Sequence, residues 1–175
     1  MEKAIFAGGC FWCTEAVFQR LNGVESILPG YTGGTIKNPA YREVCTGRTG
    51  HAEAIEITYN KEEVSFKTLM EIFFATHDPT TLNRQGADVG TQYRSGIFYT
   101  SEEQKEQAEA FIKELNNTKY FEAPVVTEIS PLTVFYKAEE DHQNYYNENS
   151  DQQYCDFTIT PKIEKITQFY SDKLK

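Results

Sequence analysis

The sequence predicts an α+β sandwich, because segments with strand and helix periodicity are mixed along it without a sustained βαβ rhythm. All 11 glycines lie between Gly8 and Gly96. Turns and close backbone approaches therefore belong to the first half, and regular elements to the second. A length of 175 residues fits a single domain of roughly 150. No Pro/Ser-rich linker, repeat or low-complexity run divides residues 1–175.

Taken in order, residues 3–7 read as a short buried strand, Gly8-Gly9 as a turn, and residues 14–21 as a helix stopped by Asn22-Gly23. Residues 24–28 suggest a second strand, followed by a loop with Tyr31, Gly33 and Gly34. Asn38-Pro39 suit an N-cap and first helical position for a short helix through Cys45, with Tyr41 on its first turn and Gly47 at its end. Residues 51–59 alternate with period two. His51, Glu53, Ile55, Ile57 and Tyr59 share one face, and Glu56 lies on the other. Phe66, Leu69, Ile72 and Phe73 make residues 65–76 helical. Residues 80–90 read as a polar loop, 92–100 as a strand, and 102–116 as a helix opened by Ser101 with Gln104. Residues 124–129 suggest a strand and 138–147 a helix. The last twenty residues are expected to form an irregular tail.

Apolar residues make up 39% and charged residues 25%, with 12 Phe and 11 Tyr. This is too aromatic for a disordered chain and too mixed for a coiled coil. The net charge of −9 repels phosphate backbones and anionic headgroups, so neither nucleic acid nor membrane is expected as a partner. The longest apolar stretch, residues 4–12, is broken by Gly8-Gly9 and is shorter than the about 18 residues a span requires. With no export signal read, Cys10, Cys13, Cys45 and Cys155 point to a reducing, cytoplasmic compartment and to redox or metal use of thiols. A monomer is the expected state.

In Gly8-Gly9-Cys10-Phe11-Trp12-Cys13 the turn delivers Cys10 to a helix start. Unpaired N–H groups and the helix dipole there favour a thiolate. Glu53, on the apolar face of a strand, is costly to ionise, which raises its pKa and makes it a proton donor. Tyr41, Asp88 and Tyr93 sit in or beside glycine-marked turns, where polar groups can converge on a site, and phenols can donate to a substrate oxygen. Against these stand plainer readings: buried cysteines filling a core, a salt-bridged Glu53, and tyrosines that merely satisfy their hydroxyls.

Two other chemistries use the same residues. Cys10, Cys13, His51 and Glu53 hold the parts of a zinc deaminase signature, in the wrong order and with Gly9 in place of proline. A strand, turn, CxxC and helix also fit a glutaredoxin-like domain. Such domains are shorter, and that reading leaves Glu53 and the tyrosines unused. A non-catalytic domain that binds methionine-containing peptides is a third alternative.

Gly-Cys-Phe-Trp at 9–12 with Glu15, Gly-Tyr-Thr-Gly-Gly at 30–34, Asn-Pro-Ala-Tyr at 38–41, Glu-Val-Cys at 43–45, Thr-Gly-His-Ala-Glu at 49–53, Asp-Val-Gly-Thr-Gln-Tyr-Arg-Ser at 88–95 and His142-Gln143 occur together. In this combination the chain resembles the type A peptide methionine sulfoxide reductases. The resemblance implies a ferredoxin-like two-layer fold and reduction of the S epimer of methionine sulfoxide, free or in proteins, without a cofactor or metal. It implies Cys10 as the nucleophile, Glu53 as the acid, Tyr41 and Tyr93 as donors to the sulfoxide oxygen and Asp88 as their support. Phe11 and Trp12 would form the wall for the substrate's methyl group. A sulfenic acid on Cys10 would condense with a second thiol, and a thioredoxin-like reductant would regenerate the enzyme. Cys155 matches the family's recycling position and is preferred for that step, with Cys13 as its competitor. Position 13 departs from the glycine common in the family, as does Gln153 before Tyr154-Cys155.

Overall fold

In the computed structural model, which describes all 175 residues, the apolar opening segment forms strand β1 (Glu2–Gly8), whose last five residues are buried. Helix α1 (Phe11–Phe18) follows directly, and the pattern then runs through β2 (Val24–Thr32), β3 (Ala52–Tyr59), helix α3 (Phe66–Ala75) and β6 (Ser95–Tyr99). Between these lie a short helix α2 (Tyr41–Cys45) and a minimal hairpin of β4 (Arg84–Gln85) and β5 (Asp88–Val89). After β6 come α4 (Glu102–Asn117), β7 (Glu128–Pro131), β8 (Phe135–Lys137), α5 (Tyr145–Glu148) and α6 (Thr160–Phe169).

The main sheet has the order β7-β6-β1-β3-β2-β8. All neighbours are antiparallel except β6 and β7, which run parallel. The sheet is mixed and the class is α+β, as the sequence predicts. The central four strands with α1 and α3 follow a βαββαβ path, an order compatible with the ferredoxin-like expectation. One sheet face carries the larger core, with Phe6, Phe18, Ile55, Ile57, Leu69 and Phe73 all buried. Phe6 stacks on Phe73 at 4.7 Å between ring centroids and meets Phe18 edge-on at 5.8 Å. Each such side chain contributes roughly 1.5–3 kcal/mol through burial. The other face holds a smaller cluster of Ile5, Ala7, Ala52, Ala54 and Phe98. Strand β3 thus keeps its predicted alternation: Ile55 and Ile57 on one side, Ala52 and Ala54 on the other. Glu56, opposite Glu53, pairs with Lys3 at 3.1 Å.

The helix starts follow capping chemistry. Ser65 accepts from the Thr68 N–H at 3.0 Å, and Ser101 accepts from the Gln104 N–H at 3.2 Å. Helix α2 starts later than the sequence suggests. Asn38 is left-handed, with φ +47°, so Pro39 lies before the helix, and Glu43 takes the Ala40 N–H at 2.9 Å.

Five expectations need correction. Strand β2 does not stop at residue 28, because Pro29-Gly30 continues it. The Pro29 carbonyl points outward and accepts from the Ala138 N–H at 2.9 Å, so the nitrogen that lacks a proton also faces the outer side, beyond the β2–β8 pairs. Tyr31 is therefore a strand residue opposite Glu53. Residues 92–100 begin as a 3₁₀ turn, Thr91–Tyr93, before β6, and the strand expected at 124–129 lies at Glu128–Pro131. Residues 138–147 are not one helix: a 3₁₀ turn, Glu140–His142, is separated from α5 by Asn144 at φ +57°, a left-handed conformation that no helix continues through. The tail is regular over Thr160–Phe169, started by a proline in its first turn and anchored by buried Ile166. Cys155 opens a π-helical turn, Cys155–Ile159, and is fully buried.

Gly30 marks the closest approach of β8 to β2. A Cβ there would meet the Phe135 ring and the Tyr136 carbonyl oxygen, and the backbone atom cannot swing away. Gly30→Ala is expected to destabilise the protein by about 1–3 kcal/mol, read as a lower urea midpoint. An unchanged midpoint would mean that β8 is not held against β2.

Candidate active site

Gly9, at φ +93°, turns the chain out of β1, and a Cβ on it would strike the Gln85 side chain of the β4–β5 hairpin. The turn leaves Cys10 as the N-cap of α1, beside the orphan N–H groups of a helix start. Those donors are divided between two side chains. The Phe11 N–H goes to Glu53 Oε1 at 3.1 Å, while the Trp12 N–H bonds Cys10. The residues expected to carry opposite protonation thus share one helix terminus.

Glu53 is 1% exposed. Burial pushes its pKa up to about 8, with Asp88 and Cys13 acting in the same direction and the Phe11 N–H against it. The second oxygen, Oε2, has no protein partner. A proton on Oε2 is therefore free to be donated, since Oε1 is occupied by a donor. Tyr41 and Tyr93 complete this side: burial raises both phenols, and for each the next cause is the charge of Glu53. Both therefore remain protonated donors.

Cys10, Cys13 and Cys155 are free thiols packed in one buried cluster with Ala16, Tyr146 and Ile159. Burial, followed by a hydrogen bond to Cys13, lifts Cys10 well above the ordinary thiol range. Burial therefore opposes the helix terminus at Cys10: the buried surroundings favour the thiol, and the backbone amide favours the thiolate. The lowered member is Cys13, brought to about 7 first by the hydrogen bond from Cys10 and further by Lys162 and Tyr154. The Tyr154 hydroxyl lies 3.8 Å from Cys13 Sγ and donates to Asp88 Oδ2 at 2.7 Å. Asp88 thus ties the segment bearing Cys155 across the thiols.

Phe11 is fully buried beside Tyr31 and Tyr41, at 5.6 and 6.3 Å. Trp12 is half-buried, stacked on Tyr145 at 3.8 Å with 8° between planes, and donates from Nε1 to His142 Nδ1 at 3.1 Å. Residues with no local signal support this wall. Glu139 accepts from the Tyr31 hydroxyl at 2.8 Å and from the Tyr41 N–H at 2.9 Å. Glu15 accepts from backbone N–H groups of Asn144 and Tyr145. Both bridge segments far apart in sequence, so spacing cannot reveal them.

The zinc alternative loses its histidine. His51 accepts from the Gly34 N–H at Nδ1 and bonds the Ile36 carbonyl through Nε2, and no group of three or more His, Cys, Asp or Glu is placed to hold a metal ion. Cys45 is half-buried, with its thiol hydrogen-bonded to Tyr41. No helix is long and apolar enough to cross a membrane.

The sequence model described as peptide methionine sulfoxide reductase matches residues 2–174. The peptide methionine sulfoxide reductase MsrA of Deinococcus radiodurans is 55% identical over 174 residues, covering 99% of this chain and 84% of that protein. Among solved structures, reduced Mxr1 from Saccharomyces cerevisiae superposes with a TM-score of 0.80 at 33% identity, covering 88% of both chains. Mxr1 in complex with Trx2 gives 0.57 at 26% identity, covering 82% of this chain and 84% of that one.

Proposed function

The chain belongs to the peptide methionine sulfoxide reductase family and is an enzyme of that kind, and from that premise we propose that it reduces the S epimer of methionine sulfoxide, free or in proteins, through a sulfenic acid on Cys10. The observation that carries this reading is the pairing at the α1 terminus. A buried carboxyl group with one oxygen occupied by the Phe11 N–H and the other unpartnered binds the same helix terminus that Cys10 caps.

The steps balance with thiols alone and no cofactor. A sulfoxide oxygen leaves poorly until it is protonated, so the Glu53 proton moves to it while Tyr41 and Tyr93 donate hydrogen bonds and Asp88 supports them. Cys10, its own proton given to the same oxygen, attacks the sulfoxide sulfur, with Phe11 and Trp12 against the methyl group. Attack forms a bond between the Cys10 sulfur and the substrate sulfur while the S–O bond breaks and the oxygen departs as water. Water then adds to the Cys10 sulfur, the S–S bond breaks, methionine leaves, and Cys10 is a sulfenic acid with one proton returned to Glu53. A second thiol then displaces water to give a disulfide. We take Cys13 as the first partner, because it lies one helical turn from Cys10 in the same buried cluster, and Cys155, in that cluster too, as the thiol to which the bond passes. This reverses the order of preference drawn from the sequence.

A thioredoxin-like dithiol would reduce the disulfide; the solved complex of Mxr1 with Trx2 supports that class of donor. Four free cysteines suit the cytoplasm. We take residues 1–175 as one catalytic domain acting as a monomer. The test is turnover with thioredoxin on separated epimers of a sulfoxide-bearing peptide. The S form should be consumed and the R form left intact; consumption of the R form would refute the epimer assignment.

A further inference from the structure

Glu15 lies on the same helix as Cys10 and takes no part in the steps above, yet its carboxyl group is 2% exposed. A buried carboxylate without partners is costly, and Glu15 finds its partners at the head of α5. Oε2 accepts from the Asn144 N–H at 2.9 Å and Oε1 from the Tyr145 N–H at 3.3 Å. Asn144 is held left-handed at φ +57°, a conformation that few side chains adopt without support from their surroundings. The residues that follow α1 supply that support. Gln19 Nε2 donates to Asn144 Oδ1 at 3.0 Å, and Arg20 donates to Asn147 Oδ1 at 2.7 Å.

The clamped segment returns to α1 on its other flank. Tyr145 lies flat against Trp12, and His142 accepts the indole N–H. His142 also faces the Tyr41 ring at 4.3 Å and Phe11 at 5.5 Å. The indole is therefore fixed by two residues of a segment that α1 itself fixes three residues further on.

We propose that Glu15 is a positioning residue, which orients Trp12 through the 142–145 segment and so sets the wall that seats the substrate's methyl group. The proposal rests on the functional reading above, and its test separates the two. Trp12 is the single tryptophan, so its emission reports the stack without turnover. Glu15→Gln keeps the side-chain size and one acceptor oxygen. It is expected to shift Trp12 emission and to raise KM for the sulfoxide peptide on the order of tenfold, with kcat held within a factor of about two.

Tyr145→Ala, at a half-buried position, removes the stack directly, and the double variant should lose less than the sum of the two. Should Glu15→Gln fail to fold, Gln19→Ala loosens Asn144 while leaving the carboxyl group in place and should give a smaller shift of the same sign. Unchanged emission and KM in folded Glu15→Gln, or additive losses in the double variant, would overturn the proposal. The emission comparison needs no substrate, so an inactive unsubstituted protein would overturn the functional reading instead.

Discussion

Glu53→Gln is expected to lower the rate of sulfoxide reduction by about 10²–10⁴-fold, the range a positioned proton donor supplies, while leaving the protein folded. The amide can still accept the Phe11 N–H but brings no acidic proton to the position of Oε2. In the unsubstituted protein the same step should fail as pH rises through about 8, where Glu53 ionises; the variant's residual rate should lack that descending limb. Stability moves the other way. The folded-state pKa is raised, so Glu53 is tolerated at low pH, and its burial becomes increasingly unfavourable between the unfolded value, about 4.3, and about 8. Above pH 8 Glu53→Gln should therefore be the more stable protein by more than about 1 kcal/mol, with the difference vanishing near pH 4. Urea melts at the two pH values check this. Equal stability at both would mean that the carboxyl group is solvated rather than buried.

Cys10→Ser should abolish reduction altogether, including a single turnover, because no other thiol caps the helix terminus that Glu53 also binds. Cys13→Ser and Cys155→Ser act later. Each should still yield about one methionine per protein molecule, since the sulfenic acid forms before a second thiol is needed, and each should be impaired in sustained turnover with a thioredoxin-type donor. The Cys13 variant should also carry out the first step at lower pH, because Cys13 is among the groups that hold the Cys10 thiol up. Rapid-quench product counting separates the two classes. A Cys10→Ser protein that still makes one product per molecule would remove Cys10 from the chemistry.

Much of this was legible before the structure. The period-two pattern of β3 puts Glu53 on the isoleucine face, and burial does the rest. The glycine pair before Cys10 reads as a turn into a helix and is one. Local chemistry misleads where a nonlocal partner changes the sign. Pro29-Gly30 has the composition of a turn but continues β2, because Pro29 faces outward and Gly30 admits β8. Cys10 sits where a helix dipole lowers a thiol, yet complete burial and the neighbouring Cys13 move the lowered pKa to the partner. The sequence places Glu15 and Tyr154 in motifs but gives them no role, and it does not mark Glu139 at all. Each acts through a hydrogen bond to a residue more than 60 positions away, a relation that no window of sequence contains. The terminal helix is moderately polar, and the packing of Ile166 that anchors it involves partners its own sequence does not contain.

The central claim is that Cys10 takes the oxidation from the sulfoxide and passes it on. The most direct measurement is a single turnover: reduced protein mixed with a peptide carrying the S sulfoxide, no external reductant, then alkylation and peptide mass mapping. The account predicts a peptide lighter by one oxygen and Cys10 protected from alkylation through a disulfide to Cys13, or a Cys13–Cys155 disulfide with Cys10 free again. An unchanged peptide, or a deoxygenated one with all four thiols still alkylated, would contradict it.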